Sequence, residues 1–330
     1  MSWRPDRWAE RRAALGALCL LFGAAAPTSP RAAAPQVVAT YRVWQWNVAG
    51  NAVHHGSTTD GLVEAAAASL VHRRIDLASF NELCYGQFQR IRDELTARHW
   101  PVDPRNFGRF EPSLPSGDPA VCQGDAYGIA VFSRQPLGTA DRWTLPDDRR
   151  REKRKLLCAP VTGGPRIRLC TTHITVSRDT GPGGVPDDVA QLTYVLDRAE
   201  RYHAAGDTVV LAGDFNAQPD DARLNAYYTS SAGTGHYREI DDNDPDHCPG
   251  YGEGTVDVEP EAAPSCGGKA KIDMIFVRED VLSAHDGDSL AIPTSCAGSR
   301  PCSDHRVLTG TVTVTVDRPK DGGPGPRARR

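Results

Sequence analysis

The sequence has no run of about eighteen apolar residues beyond its N-terminus, which excludes a polytopic membrane protein. It has no basic excess either. Lys+Arg number 38 against 42 Asp+Glu, a formal charge of −4, which argues against a wholly basic nucleic-acid coat but leaves room for a local basic patch. No CxxC pair occurs, so neither a zinc ribbon nor a thioredoxin-type site is indicated. The GxSxG nucleophile elbow, the HExxH zinc helix and the GxxxxGK(S/T) phosphate loop are missing too. Internal repeats, compositional shifts and long linkers are absent over residues 36–317, which therefore read as one domain. The remaining composition is that of a soluble globular protein over 330 residues, 39% hydrophobic and 24% charged. Its 31 Gly and 25 Pro predict a loop-rich fold.

The N-terminus stands apart. Arg4, Arg7, Arg11 and Arg12 precede an apolar run over residues 13–26, and small residues follow to Ala34. That order is that of a secretory signal peptide, so residues 1–34 are expected to be removed and the chain secreted. Cleavage after Ala26 or Ala34 would leave Pro at the next position, and Leu18 before Cys19 argues against a lipoprotein anchor. Without the leader, 33 Lys+Arg face 40 Asp+Glu and the formal charge becomes −7. Eight cysteines remain, an even number that suggests four disulfides in an exported chain. Cys158 and Cys170 are equidistant from Gly164 in the turn Thr162-Gly163-Gly164-Pro165, which places them opposite each other on a hairpin. Cys296–Cys302 would close a small loop, and Cys84–Cys122 with Cys248–Cys266 is the simplest remainder. The last would staple a Pro/Gly/acidic loop over residues 244–268. Residues 318–330 lack an apolar anchor and are expected to be a disordered tail.

Past the leader, short apolar strands alternate with helical or turn-rich segments. Aromatic and β-branched residues at period two make residues 41–48 a strand. Residues 60–74 carry Ala and Leu at helical spacing, and residues 75–80 read as a buried strand. A second helix is expected over 85–98, and strands over 127–133, 155–161 and 166–176. A third helix should cover 185–205, with Pro186 near its first turn and Gly206 just past its end. Strands over 208–215, 236–241, 272–278 and 307–316 complete the series. This alternation favours helices packed outside sheets.

Polar clusters sit at the ends of these apolar segments, where core packing does not ask for them. They are Trp46-Asn47-Val48, Asn81-Glu82, Thr172-His173-Ile174, Gly213-Asp214-Phe215-Asn216, Lys271-Ile272-Asp273 and Ser303-Asp304-His305. Acids, amides and imidazoles gathered at strand ends suit a divalent-metal phosphoryl site: hard oxygens hold Mg²⁺, and imidazoles move protons. Singly each cluster is weak, because Asn-Glu after a strand is usually a turn and Gly-Asp-Phe-Asn can be an Asx loop. Together, and in this order, they resemble the endonuclease/exonuclease/phosphatase superfamily, the DNase I-like enzymes, over residues 38–316. Residues 127–134 also match that family's central strand. His54-His55, by contrast, reads as a loop on the approach to a helix.

The resemblance implies a four-layer α/β sandwich, with two mixed sheets face to face and helices outside. It implies Mg²⁺ as cofactor, with Mn²⁺ or Ca²⁺ as substitutes, held by Glu82 with Asn47 and Asp304 close to the ion. It makes Asp273 the orienting carboxylate of His305, which would activate water. His173 would stabilise the phosphoryl oxygens or protonate the leaving oxygen, and Asp214 and Asn216 would position nucleophile and phosphate. Asp214 and Asn216 are two apart and share a side if the chain stays extended. Cys170 is three residues from His173, so a disulfide there faces away from the imidazole. A loop at Asp304-His305 would let both side chains converge.

Three ester classes share such a site. The Trp-Cys-Asp-Arg pattern of inositol phosphatases is absent around Asp273, and no exposed aromatic hairpin of the secreted sphingomyelinases is evident. For nucleic acid, residues 149–155 hold six basic side chains, among them Arg150, Arg151 and Arg154, that could follow a phosphate backbone. The competing reading is a charged edge that guards a strand against pairing. The expectation is a monomeric secreted nuclease acting on DNA, without stable membrane insertion. The alternatives are a sphingomyelinase-type diesterase or small-substrate phosphatase, and a non-catalytic binding or toxin subunit of the same fold.

Overall fold

The computed structural model of the chain describes residues 36–181, 183–229, 233–244, 249–256, 270–292, 296 and 301–317. All of them belong to the unit Ala34–Arg330. The expected leader, the tail and the Cys248–Cys266 pair lie outside the described residues.

Two six-stranded mixed sheets form the body. The first holds β1 (Gln36–Asn47), β2 (Leu77–Cys84), β3 (Gly108–Leu114), β4 (Tyr127–Ser133), β11 (Leu282–Leu290) and β12 (Val307–Asp317), in the order β11-β12-β1-β2-β4-β3. The second holds β5 (Asp141–Thr144), β6 (Lys155–Pro160), β7 (Ile167–His173), β8 (Thr208–Asp214), β9 (Tyr237–Glu239) and β10 (Asp273–Arg278), in the order β5-β6-β7-β8-β10-β9. Strands β1 and β2 run parallel, as do β7 and β8, while β4 and β10 are antiparallel to their neighbours.

Side chains alternate between the two faces of each strand, and three apolar cores result. Trp44, Trp46, Phe80 and Phe132 face helices α1 (Leu62–His72) and α2 (Tyr85–Ala97). Val43, Leu77, Val131, Leu169, Val210 and Ile275 meet between the sheets. Leu156, Leu211 and Phe276 face α3 (Asp187–Ala204). The layers are therefore helix, sheet, sheet, helix, as the resemblance implied. Helix α3 starts after Pro186 with Asp187 and Asp188 in its first turn and ends with Arg201 and His203 in its last, which complements its dipole. Gly206, at φ +90°, then turns the chain toward β8.

Three strands had no sequence signal: β3, β5 and β11. Each is a sheet edge. An edge strand is half solvated and need not alternate cleanly: β3 contains Pro112, β5 is four residues long, and β11 reads Leu-Ser-Ala-His-Asp-Gly-Asp-Ser-Leu. The other expected strands appear, with shifted ends. β1 begins earlier because β12 pairs with it as far back as Gln36. β2 runs past Phe80 through an irregularity between Phe80 and Leu83, where Glu82 takes φ +58°.

Cys158 and Cys170 are direct partners in the β6–β7 ladder and form a disulfide. Both pack on the α3 side of the sheet, facing away from His173 as their spacing predicted. Cys84–Cys122 and Cys296–Cys302 are also disulfides.

Candidate functional site

The inner faces of the central strands are apolar along most of their length and polar at one end. Gln45 and Asn47 continue the face of Val43, and Ser79 and Asn81 continue that of Leu77. Thr171 and His173 follow Ile167 and Leu169, and Asp214 follows Val210 and Ala212. Asp273 precedes Ile275 and Val277, and Tyr127 precedes Ile129 and Val131. The parallel pairs bring their C-terminal ends to this edge, and the antiparallel strands bring their N-terminal ends. Burial there costs free energy unless every polar group finds a partner.

The partners are found across the sheets. Asn81 accepts from Gln45 Nε2 at 2.7 Å and from the Asp214 backbone N–H at 2.8 Å, and donates to the Thr172 carbonyl at 3.0 Å. Gln45 Nε2 also reaches Asp273 Oδ1 at 3.4 Å. Gly213 allows this close weave, because a Cβ on it would sit 2.0 Å from the Thr172 oxygen.

Asp214 Oδ2 is the focal atom. Asn47 Nδ2 donates to it at 3.0 Å, His173 Nε2 lies 3.5 Å away and His305 Nε2 3.9 Å away. The same Asn47 amide donates to Glu82 Oε1 at 3.2 Å. His305 Nδ1 is 2.7 Å from Asp273 Oδ2. Asp214 and Asp273 are opposite each other in the β8–β10 ladder, an arrangement that like charges disfavour and that core packing would not select.

The electrostatics follow from that pairing. Burial, then the charge of Asp273, push the Asp214 carboxyl up to about 7, against His305 and the hydrogen bonds from Asn47 and Asn216. Burial opposes the His305 imidazolium, but the charge and hydrogen bond of Asp273, with Asp214 and Asp304, override it and raise the ring to about 10. His173 moves the other way: burial, then Arg154 and His305, hold it well below the usual histidine range. It is a neutral imidazole at neutral pH.

Among the described residues, oxygen and nitrogen ligand atoms of Asp214, Asp273 and His305 lie within 4.8 Å of one another. With Glu82 and the Asn47 amide alongside, the donors are predominantly hard oxygens, which fits Mg²⁺ or Mn²⁺ and not a thiophilic ion. The raised Asp214 carboxyl supports the fit, because a cation would relieve the repulsion between the paired carboxylates.

Asn216 departs from the extended chain that its spacing from Asp214 assumed. It adopts φ +47°, its N–H is capped by Asp214 Oδ1 at 3.0 Å, and its amide donates to the Ile174 carbonyl at 2.8 Å. It ties the Asp214 turn to the segment after His173. Asp304 lies on an exposed loop beside His305, which the Ser303 hydroxyl shapes by accepting the His305 N–H at 3.0 Å.

The basic run divides. Arg154, with only 12% of its side chain exposed, pairs with Glu152 at 3.1 Å and bears electrostatically on His173. Arg150 and Arg151 are 63% and 69% exposed, and pair with Asp179 at 3.7 Å and with Asp118. Arg149 and Lys153 are paired too, with Asp187 and Asp147. Two neighbours of Glu82 have no site role among the expectations from sequence. Tyr127 is buried beside Glu82 and Glu152, and burial followed by those carboxylates raises its hydroxyl well above the usual range. Glu152 is raised by burial, against the charge of Arg154. Tyr127 could have been found by parity, two residues before Ile129.

The family model of the "Endonuclease/Exonuclease/phosphatase family" matches residues 44–305. No curated protein matches significantly. Similar solved structures include TDP2 from Caenorhabditis elegans, 16% identical over 83% of this chain and 74% of that one, at TM-score 0.59. TDP2 of D. rerio, complexed with a single-strand DNA product, is 18% identical over 83% of this chain and 99% of that one, at 0.57. The human Nocturnin catalytic domain with bound sulfate is 17% identical over 86% and 100%, also at 0.57. At these identities the structures speak to fold alone.

Proposed function

The chain belongs to the endonuclease/exonuclease/phosphatase family, and from that premise we propose that it is a secreted, Mg²⁺-dependent phosphodiesterase that cleaves nucleic acid by in-line attack of water. The observation that carries the reading is the convergence of Asn47, His173 and His305 on Asp214 Oδ2, with Asp273 locked to His305. Glu82, Asn47 and Asp304 would hold the cation, with Asp214 and Asp273 at its edge. A cation held there would supply neutralisation of the charge that develops on the phosphoryl and leaving oxygens.

The protein groups divide the proton work by their environments. Asp214 Oδ2, at the focus of Asn47, His173 and His305, is the carboxylate placed to accept a proton from water. His305, held as imidazolium by Asp273, directs positive charge and an N–H toward the phosphoryl oxygens. His173 adds a neutral N–H, and Asn216 fixes the turn that carries Asp214. In this proposal Asp214 takes the base role that the resemblance gives to His305, and His305 is the charged donor.

A pH–rate profile on bis-p-nitrophenyl phosphate tests this division. Asp214→Asn should abolish the acidic limb of kcat/KM, whereas His305→Ala should lower the rate and keep that limb. Chelation should silence both variants and the parent. An unchanged acidic limb in Asp214→Asn would refute the assignment.

Exposed Arg150 and Arg151 support the nucleic-acid substrate, and the three disulfides suit an oxidising compartment. The ion pairs that occupy the basic run favour a second reading, a smaller diester that needs no extended cationic track. Salt dependence separates the two, because release of counterions is a property of polyanion binding.

A further inference from the structure

We propose that His54 is a positioning residue for the loop that carries Asp304 and His305, an inference that rests on the phosphoesterase reading above. His54 lies between β1 and α1, 248 positions from Cys302, and its ring is fully buried. Its Nε2 is 2.7 Å from the Cys302 carbonyl oxygen, so the ring donates there. Its Nδ1 is 2.6 Å from Asp60 Oδ2. Each ring nitrogen thus meets an oxygen of a different segment, Asp60 on one side and Cys302 on the other. Asp60 in turn precedes α1 and accepts the Leu62 N–H at 3.5 Å. A chain of contacts therefore runs from the start of α1 through Asp60 and His54 to Cys302.

Cys302 leads directly into Ser303-Asp304-His305. Ser303 Oγ donates to the Asn47 carbonyl at 2.7 Å, and Trp46 Nε1 donates to the His305 carbonyl at 3.0 Å. Those two ties hold the loop against β1. The His54 tie and the Cys296–Cys302 disulfide hold its N-terminal end. The two differ in kind: the disulfide constrains the Cys302 side chain, while His54 fixes the orientation of the peptide plane that leads into Ser303. Tilting that plane displaces Asp304, whose one side-chain hydrogen bond among the described residues is a 3.4 Å contact with Ser303 Oγ. His54 touches no reacting atom. It acts through the placement of Asp304 and His305.

The experiment compares His54→Ala, His54→Gln and Asp60→Asn in the full chain. Glutamine places an amide donor near the position of Nε2 and should keep the Cys302 contact without the Asp60 pair. In His54→Ala, hydrogen exchange at the Ser303 and His305 amides should accelerate. The Mg²⁺ concentration for half-saturation, measured by calorimetry, should rise several-fold. Turnover should fall by roughly 10–100-fold, the scale of an ångström-level misplacement. His54→Gln should recover most of all three, and Asp60→Asn should fall between. Leu70→Ala, a core variant chosen for matched loss of Tm, controls for general destabilisation and should leave the Mg²⁺ dependence unchanged.

If His54→Ala does not fold, the glutamine and Asp60 variants carry the comparison. Unchanged exchange at 303–305, or a Mg²⁺ response equal to that of the Leu70 variant, would overturn the proposal. Absence of hydrolysis in the parent protein would defeat the functional reading alone, since the exchange and calorimetric arms still decide the clamp.

Discussion

The side-chain oxygen of Asn81 accepts the backbone N–H of Asp214 at 2.8 Å, across the interface between the two sheets. One amide thereby joins β2 to β8 and, through the Thr172 carbonyl, to β7. It fixes the height of Asp214 relative to Asn47 and Glu82 in the opposite sheet. Asn81→Ala strands the Asp214 N–H and the Thr172 carbonyl in a dry interface. At roughly 1–3 kcal/mol per orphaned buried group, the loss should be at least ~2 kcal/mol. Calorimetry should show a Tm lower by roughly 4–8 °C for a chain of this size. Turnover should fall further than the stability loss explains, because Asp214 loses its register.

Metal binding should depend on pH in a defined direction. The Asp214 carboxyl is raised to about 7, so ionising it in the folded protein costs stability as pH climbs from the unfolded value of about 4 through 7. The His305–Asp273 pair contributes stability fully below the unfolded histidine value of about 6.5, and that contribution is lost as pH rises through about 10. A cation relieves the first cost and competes with the Asp214 proton. The Mg²⁺-induced rise in Tm should therefore be larger at about pH 8 than at about pH 5.5. Glu82→Gln should shrink that rise at both values. A thermal-shift series over pH decides it, and a Mg²⁺ effect that declines toward alkaline pH would contradict the arrangement.

His305→Ala should lower turnover by roughly 10²–10⁴, the range for a positioned proton-handling or charged group. Asp273→Asn should also be severe, since it removes the charge that holds the imidazolium. The double variant should lose little more than the worse single one, because the two act as a unit. Full additivity in single-turnover rates would mean that they act separately.

The arginines of the basic run should separate by position. Neutralising Arg150 and Arg151 together should weaken DNA cleavage through binding and flatten its salt dependence, while hydrolysis of a small chromogenic diester stays nearly constant. Arg154→Gln should impair both substrates, because its guanidinium bears on His173. A double variant with unaltered DNA kinetics would move the small-diester reading ahead.

Much of this architecture is legible one residue at a time. Period two along 41–48 and unbroken apolar runs along 127–133 and 208–215 announce central strands, the runs because those strands are covered on both faces by apolar layers. β3, β5 and β11 stay silent because an edge strand is defined by its one neighbour and not by its own pattern. The six polar clusters are visible because polar residues interrupt apolar runs, and the Cys158–Cys170 pair because a hairpin fixes its own register. Spacing failed at Asn216, where an Asx cap turned the chain that parity assumed to be straight.

By itself, then, the sequence singled out the polar residues at the strand ends and the face of each strand they occupy, since both are local consequences of residue type and period. Tertiary structure alone decided what those residues become. Asp214 is an ordinary carboxylate until the β8–β10 register sets it opposite Asp273 in a buried seam. His54 reads as a loop residue until the Cys302 carbonyl arrives from the far end of the chain. Arg150 and Arg151 read as unpaired charges until Asp179 and Asp118 fold against them. Proton affinity, charge compensation and ligand geometry are set by neighbours distant in sequence, because desolvation and Coulomb interaction depend on separation in space.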